Sequence, residues 1–261
     1  MPAISMSGAA YGFGKNSGTT NPTSPSAIMN IDMYASSQTV VNATTKTLSN
    51  RDPDYPTVTM NFTNGTYNSN NIGFIQSTPN TSSTWGYTNV NLDSYAIAGN
   101  WSETKEVWIN VPSGVAGTNG TICTEQGNTT FTPGWFDSQI EIVNGNLLLG
   151  IWTGTLVSFT LATSIVRDKW HHVVWRYNTS TARLDGYYDG QKISGIAATR
   201  MNPVTGGSTN FNYLLGHGTV TNMGSGADYT GAIGVFRYYN QALTDTQIVA
   251  SWNADRVKFG V

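Results

Sequence analysis

WHHVVWRYNTSTARLDGYYDGQKI, Trp170 to Ile193, is the stretch on which the fold turns. Read as a strand, Trp170–Tyr177 sends successive side chains to opposite faces of a sheet. The adjacent His171 and His172 then point apart and share no metal. The polar Asn178-Thr-Ser-Thr makes a turn, Arg183–Tyr188 a second strand, and Asp189-Gly190 a second tight turn, after which Gln191–Ile193 begins the return. In such a meander Trp170, Trp175, Tyr177, Tyr187 and Tyr188 are cross-strand neighbours that pack the faces of the sheet.

The same pattern extends both ways. In SQIEIVNGNLLLGIW, Ser138 to Trp152, Ile140 and Ile142 alternate with Gln139 and Glu141, and Asn144-Gly145 supplies the two positive-φ positions of a type I′ hairpin turn. KEVWINV, Lys105 to Val111, puts Val107, Ile109 and Val111 on one side and Glu106, Trp108 and Asn110 on the other; a buried Trp108 would make this strand covered on both faces. VTMNFT from Val58 and SAIMNIDMYAS from Ser26 alternate over shorter spans. Turn residues recur every ~8–12 residues, the rhythm of an all-β sandwich. One helix is predicted, in ALTDTQIVASW. Thr244 caps it, Gln247 closes the capping box, Leu243 and Ile248 have staple spacing, and one or two turns are expected.

Composition agrees. Charged residues are 11% of the 261, against ~25% in ordinary soluble domains. Gly, Asn, Ser and Thr take up the difference and favour turns and strands over long helices. The net charge is −2, with 13 scattered Lys and Arg. No basic stripe is available for phosphates or for an anionic bilayer, so neither nucleic acid nor membrane is expected as a partner. The start, MPAISMSGAAYGFGKNSG, lacks a basic then hydrophobic leader, so no signal peptide is expected. On that expectation the Asn-x-Ser/Thr triplets at Asn42, Asn61, Asn64, Asn80, Asn100, Asn119, Asn128 and Asn178 are accidents of an Asn/Thr-rich chain. Cys123 is single and forms no internal disulfide. Residues 1–27 are polar and Gly/Pro-punctuated, an arm that cannot fold alone and is expected to lie along the body, residues 28–261, or along a neighbouring subunit.

With these residues in view, the chain resembles a family. WHHVVWRYN followed by LDGYYDGQKI is similar to the central meander of laminin-G-like, concanavalin-A-like jelly rolls, a Trp-x-His-Val strand, a short turn and a strand ending in Tyr-x-Asp-Gly. VWINV (107–111), YLLGHG (213–218) and YTGAIGVFRYYNQALTDTQI (229–248) resemble its other conserved strands and its closing helix, in the right order. Upstream, MNIDMYASS and TYNSNNIGFIQ are similar to segments of phage and viral members, though the Phe-Asp-Gly turn of that group is missing. The resemblance implies an all-β fold: a two-sheet antiparallel jelly-roll sandwich with one short C-terminal helix and an extended N-terminal arm.

That fold hosts glucanases, lectins and structural modules, so function has to be argued from side chains. Its glucanases place acids at i, i+2 and i+4 of one strand. None of the 15 Asp and Glu does so: Asp52 and Asp54 lie in a Pro-marked loop, Glu103 and Glu106 point opposite ways on a strand, and Asp185 and Asp189 sit ~13 Å apart at ~3.3 Å per residue. No Gly-x-Ser-x-Gly elbow is present. The expectation is a non-enzyme. Trp85, Tyr87, Trp101 and Trp135, in Gly/Asn/Thr-rich segments, are the candidate sugar-stacking residues, with loop-to-core anchoring as the other reading. No cofactor is expected. Related jelly rolls often bind calcium, for which Asp93, Asp137 and Asp228 are the candidates, each equally a turn residue. The role expected first is a virion surface protein of the capsid-decoration type, made in a host cytoplasm. It would dock on other capsid subunits through residues 1–27, touch host glycans and form homo-oligomers. A glycan-binding adhesin of a tail fibre or cell surface comes second, and a glycoside hydrolase last.

Overall fold

The computed structural model describes residues 25–32, 40–42, 47–63, 74–75, 85–90, 92–95, 100–113, 120–126, 136–201, 212–216 and 229–261. In chain order the strands are β1 (Met29–Asp32), β2 (Val40–Asn42), β3 (Thr47–Ser49), β4 (Thr59–Thr63), β5 (Phe74–Ile75), β6 (Trp85–Thr88), β7 (Glu103–Asn110) and β8 (Gly120–Gln126). They continue with β9 (Phe136–Val143), β10 (Asn146–Trp152), β11 (Leu156–Ala162), β12 (Trp170–Asn178), β13 (Arg183–Tyr188), β14 (Gln191–Ala197), β15 (Asn212–Leu215) and β16 (Ala232–Tyr239). A helix, α1 (Asp245–Phe259), closes the chain. One antiparallel sheet runs β1-β16-β7-β12-β13-β14, with β5 also on β16; the other runs β11-β10-β9-β8-β15-β6-β4-β3-β2.

The stretch that opens the sequence reading lies at the middle of the first sheet. β12 pairs with β7 on one side (Val173 opposite Val107) and with β13 on the other (Val174 opposite Tyr187). Val107, Ile109, Val173, Trp175 and Tyr177 face the second sheet and join Ile140, Ile142, Leu147 and Leu149 in the main core. The alternate residues are buried as well. Trp108 is fully buried with Val235 and Phe259 against Trp170 and Trp252, while Val174, Tyr187 and Tyr239 pack with Leu243 and Ile248. The strand is therefore covered on both faces, by a sheet and by α1.

The turns are as their residues demand. Asn144-Gly145 and Asp189-Gly190 have φ of 51° and 79°, and 50° and 76°, the paired positive angles of type I′ turns. At Gly190 a Cβ would also lie 2.5 Å from the Trp252 ring. Asn178 Oδ1 accepts from Ser180 N at 3.0 Å and closes the turn between β12 and β13.

The helix departs from expectation in length. Its capping box, Thr244 with Gln247, is present, but it runs 15 residues to Gly260, whose φ of 72° ends it. The final stretch carries no apolar stripe because it docks through charge and one ring: Asp255 meets Arg237 at 2.6 Å, Lys258 meets Asp32 at 2.6 Å, and Phe259 stacks on Trp108 at 4.3 Å. The body also begins earlier than composition places it. Ala27 is buried beside Val174 and Tyr239, and its N–H donates to Asp52 at 2.7 Å.

Candidate functional site

The two histidines part as a strand requires. His171 Nδ1 lies 2.9 Å from Asp189 Oδ2 and Nε2 2.9 Å from the Val166 carbonyl, with the ring stacked on Tyr188. His172 points to the other face and is wholly buried under α1, 5.2 Å from the Trp108 ring and 6.0 Å from that of Trp252. Neither of its ring nitrogens is hydrogen-bonded among the described residues. Burial, reinforced by the Arg237 charge, pushes its pKa down to about 3, so it is a neutral packing ring at physiological pH. Among the described residues no group of three or more His, Cys, Asp or Glu is placed to hold a metal.

Charge is concentrated between the sheets. Glu103 and Lys105, at i and i+2 of β7, continue the inward row of Val107 and Ile109. Lys105 Nζ donates to Glu103 at 2.8 Å and stands 4.1 Å above the Trp175 ring. Glu103 also accepts from Ser138 Oγ at 2.9 Å and Tyr238 Oη at 3.0 Å. Arg200, from the loop after β14, bridges Glu103 at 3.2 Å and Glu125 of β8 at 3.0 Å, and so joins the sheets. Burial pushes the Glu103 carboxyl up, but Arg200 and Lys105 outweigh it and hold the pKa at about 2. Beside them, burial pushes the Cys123 thiol up to about 12, which leaves no thiolate for nucleophilic chemistry. Glu103, Lys105, Glu125 and Arg200 are each at most 7% exposed. They are an ionic clamp, not a cleft. Sequence reasoning weighed Glu103 only as a catalytic partner of Glu106 and missed Arg200 and Glu125 altogether. The available signal was a charged pair in register with the apolar row of β7.

Glu106, Asp185 and Asp189 are also engaged. Glu106 lies on the opposite face from Glu103, under α1, and accepts from Ser251 Oγ at 2.8 Å. Asp185 is ringed by Arg176 at 2.6 Å, Arg183 at 2.8 Å and Lys192 at 3.0 Å, whereas Asp189 serves His171. Asp185 and Asp189 do not converge.

The sugar-stacking candidates are only partly placed. Tyr87 is half-buried on β6, where the register sets it opposite Leu214 of β15 and Asn61 of β4. Trp101 is half-buried just before β7, and its carbonyl accepts from Arg200 at 3.3 Å, beside the clamp. Trp85 shares β6 with Tyr87, but its side chain lies outside the described residues, as does all of Trp135. Of the calcium candidates, Asp93 falls in a single 3-10 turn (Leu92–Tyr95) and Asp137 in β9, both without described side chains; Asp228 lies outside the described residues.

With this geometry in place, comparison with known proteins is informative. A family model of laminin-G-like domains, described as the concanavalin A-like lectin/glucanases superfamily, matches residues 81–249. No curated protein sequence matches significantly. Among solved structures, the receptor-binding domain of botulinum neurotoxin mosaic serotype C/D aligns with a TM-score of 0.60 at 12% identity, over 90% of this chain and 54% of that one. The serotype D binding domain gives 0.59 at 13%, over 90% and 53%. The serotype DC binding domain, in complex with rat synaptotagmin II, gives 0.52 at 14%, over 88% and 51%. The chain thus spans about half the length of the toxin domains, and the likeness is one of fold. The two stacked antiparallel sheets, the Trp-His-His-Val strand at their centre and the matched family model together show that this chain belongs to the laminin-G-like branch of the concanavalin A-like lectin/glucanases superfamily.

Proposed function

We propose that this chain is a non-catalytic, lectin-like recognition module whose surface aromatics stack on a glycan. The observation that carries this reading is the fate of the strand acids. Glu103, Glu125 and Asp185 are bound in ion pairs to Arg or Lys, as is Asp255 of α1, and Glu141 of β9 is buried against Thr121. Among the described residues none of these is left over a cleft as an acid and a nucleophile at the ~5–5.5 Å spacing of a retaining glycosidase. Half-exposed Tyr87 and Trp101 offer ring faces instead, with Trp85 and Trp135 as further members of the platform. The test is a glycan array read beside a reducing-end release assay. Wild-type protein binds without releasing reducing ends, and Tyr87→Ala or Trp101→Ala abolishes binding while leaving Tm unchanged. A wild-type protein silent on the array, or cleavage of a bound glycan, overturns the proposal.

A second reading places the module on a virion surface as a capsid-decoration protein, with the N-terminal segment docking on other subunits. One observation favours it: the chain enters the body at a fixed point, where Ser26 Oγ bonds Asp54 and Ala27 N–H bonds Asp52. Since Ala27 is buried, the informative truncation removes residues 1–24 only. The shortened protein stays folded and no longer co-sediments with shells; unchanged incorporation refutes the reading.

A further inference from the structure

An unpaired sheet edge is a row of free N–H and C=O groups ready to join another strand, and proteins guard such edges. The first sheet ends at β1 and β14, the second at β2 and β11. β1 is covered: Asn30 N–H donates to Asn50 Oδ1 at 2.8 Å, and its carbonyl accepts from Arg51 N at 2.9 Å. β14 carries Lys192, and Arg183 Nη2 occupies its Gly195 carbonyl at 3.0 Å. β2 is only three residues long. β11 has none of these devices. It runs seven residues without charge or proline, and no charged residue stands between Glu141 and Arg167. Among the described residues no strand lies beyond it.

The strand is held in a regular conformation. Val157, Phe159 and Leu161 pack on the core, Ser158 and Thr160 are exposed, and Phe159 and Leu161 lie close under Gly186 of β13. Antiparallel ladders alternate, and the Thr153 N–H bond to the Thr155 carbonyl at 2.9 Å sets the phase. Val157 and Phe159 turn their backbone groups to β10, while Leu156, Ser158 and Thr160 turn theirs to the open edge. The lack of charge selects what joins there. A partner of another sequence is chosen by opposite charges set across the junction, and β11 has none to offer. Two identical strands about a two-fold axis would set a central charge against its like, which is destabilising. An uncharged strand is what self-pairing requires. We propose that β11 pairs antiparallel with β11 of a second copy of this chain, about a two-fold axis at Ser158. Leu156 then faces the second copy's Thr160, Ser158 faces its equivalent, and about six hydrogen bonds form. This pairing needs nothing of the platform at Tyr87 and Trp101, so either reading can fail without the other.

The experiment is gel filtration with light scattering on the full chain, loaded from about 5 to 200 µM, the range a small interface requires. The mass rises from one chain to two. Ser158→Lys, at an exposed position, sets like charges across the axis and keeps the mass at one chain with the far-UV spectrum unchanged. Ser158→Cys cross-links to a covalent dimer under mild oxidation, since bonded pairs stand about 5.5 Å apart at Cα, within disulfide reach. Ser180→Cys, in the exposed turn between β12 and β13, does not, and the buried Cys123 takes no part. The proposal is overturned if wild type stays at one chain throughout, if Ser158→Lys pairs as wild type does, or if the two cysteine variants cross-link alike. It is overturned too if removing residues 1–24 abolishes pairing, which would make that segment the occupant, or if the chain grows into fibres instead of stopping at two.

Discussion

Acidification should loosen this protein through one buried ring, and the size of the effect follows from where His172 sits. The unfolded chain protonates the imidazole near 6.5, whereas the folded chain keeps it neutral down to about 3. A depressed folded pKa means that its stabilising contribution is complete above pH 6.5, is lost as pH falls below that value, and is gone by about pH 3. At pH 5, one and a half units below the unfolded pKa, the loss is about 2 kcal/mol. Burial raises the pKa of Glu106, whose Oε1 lies 4.0 Å from His172 Nε2. Its sign is opposite: its contribution is complete below the unfolded value of 4.5 and declines as pH rises through the folded one, which blunts the net slope. Urea unfolding followed by tryptophan fluorescence at pH 7 and pH 5 compares wild type with His172→Phe, which keeps a ring beside the stacked Trp108 and Trp252. Contributions from the rest of the chain cancel in that difference. The variant should be less sensitive to acid by about 2 kcal/mol, and Glu106→Gln should be more sensitive than wild type. An equal slope in wild type and His172→Phe, or an NMR titration of the folded His172 ring near 6.5, refutes the reasoning.

Three further outcomes are expected. Arg200→Met strands Glu103 and Glu125 without their bridging cation and should cost about 3–5 kcal/mol, the usual penalty for breaking a buried pair, seen as a lowered Tm and urea midpoint. Gly190→Ala places a Cβ against Trp252 at a φ of 76° and should destabilise by about 1–3 kcal/mol in the same unfolding assay. Cys123, fully buried with its pKa pushed up to about 12, should resist an aromatic disulfide reagent in the native protein and react at once in urea.

The parts of the fold that could be read from the residues are those written in local patterns. Period-two alternation places Val173 and Trp175 inward and His172 and Val174 outward. Asn-Gly and Asp-Gly demand paired positive φ, and Thr244 with Gln247 starts a helix. Each of these depends only on residues within a few positions of one another, so the chain carries them before it folds. The length of α1 is not local in this sense: its last seven residues read as polar and become helical because Asp255, Lys258 and Phe259 find Arg237, Asp32 and Trp108 on a distant sheet. Likewise composition offers Tyr87 and Trp101 as loop aromatics, whereas Tyr87 lies on β6, and nothing local says whether the two meet.

By itself, then, the sequence determined the all-β character, the central meander and the separation of His171 from His172. Tertiary structure alone decided what the charged residues do. Arg200 lies 75 residues from Glu125, and Arg237 shares a pocket with Asp52 and Asp255 through three separate elements. The reason is physical: alternation fixes only which face a side chain takes. Whether a buried charge is an ion-pair anchor, a reagent or a ligand contact depends on the solvent and counter-charge around it, and these are brought together by packing across the two sheets and the helix.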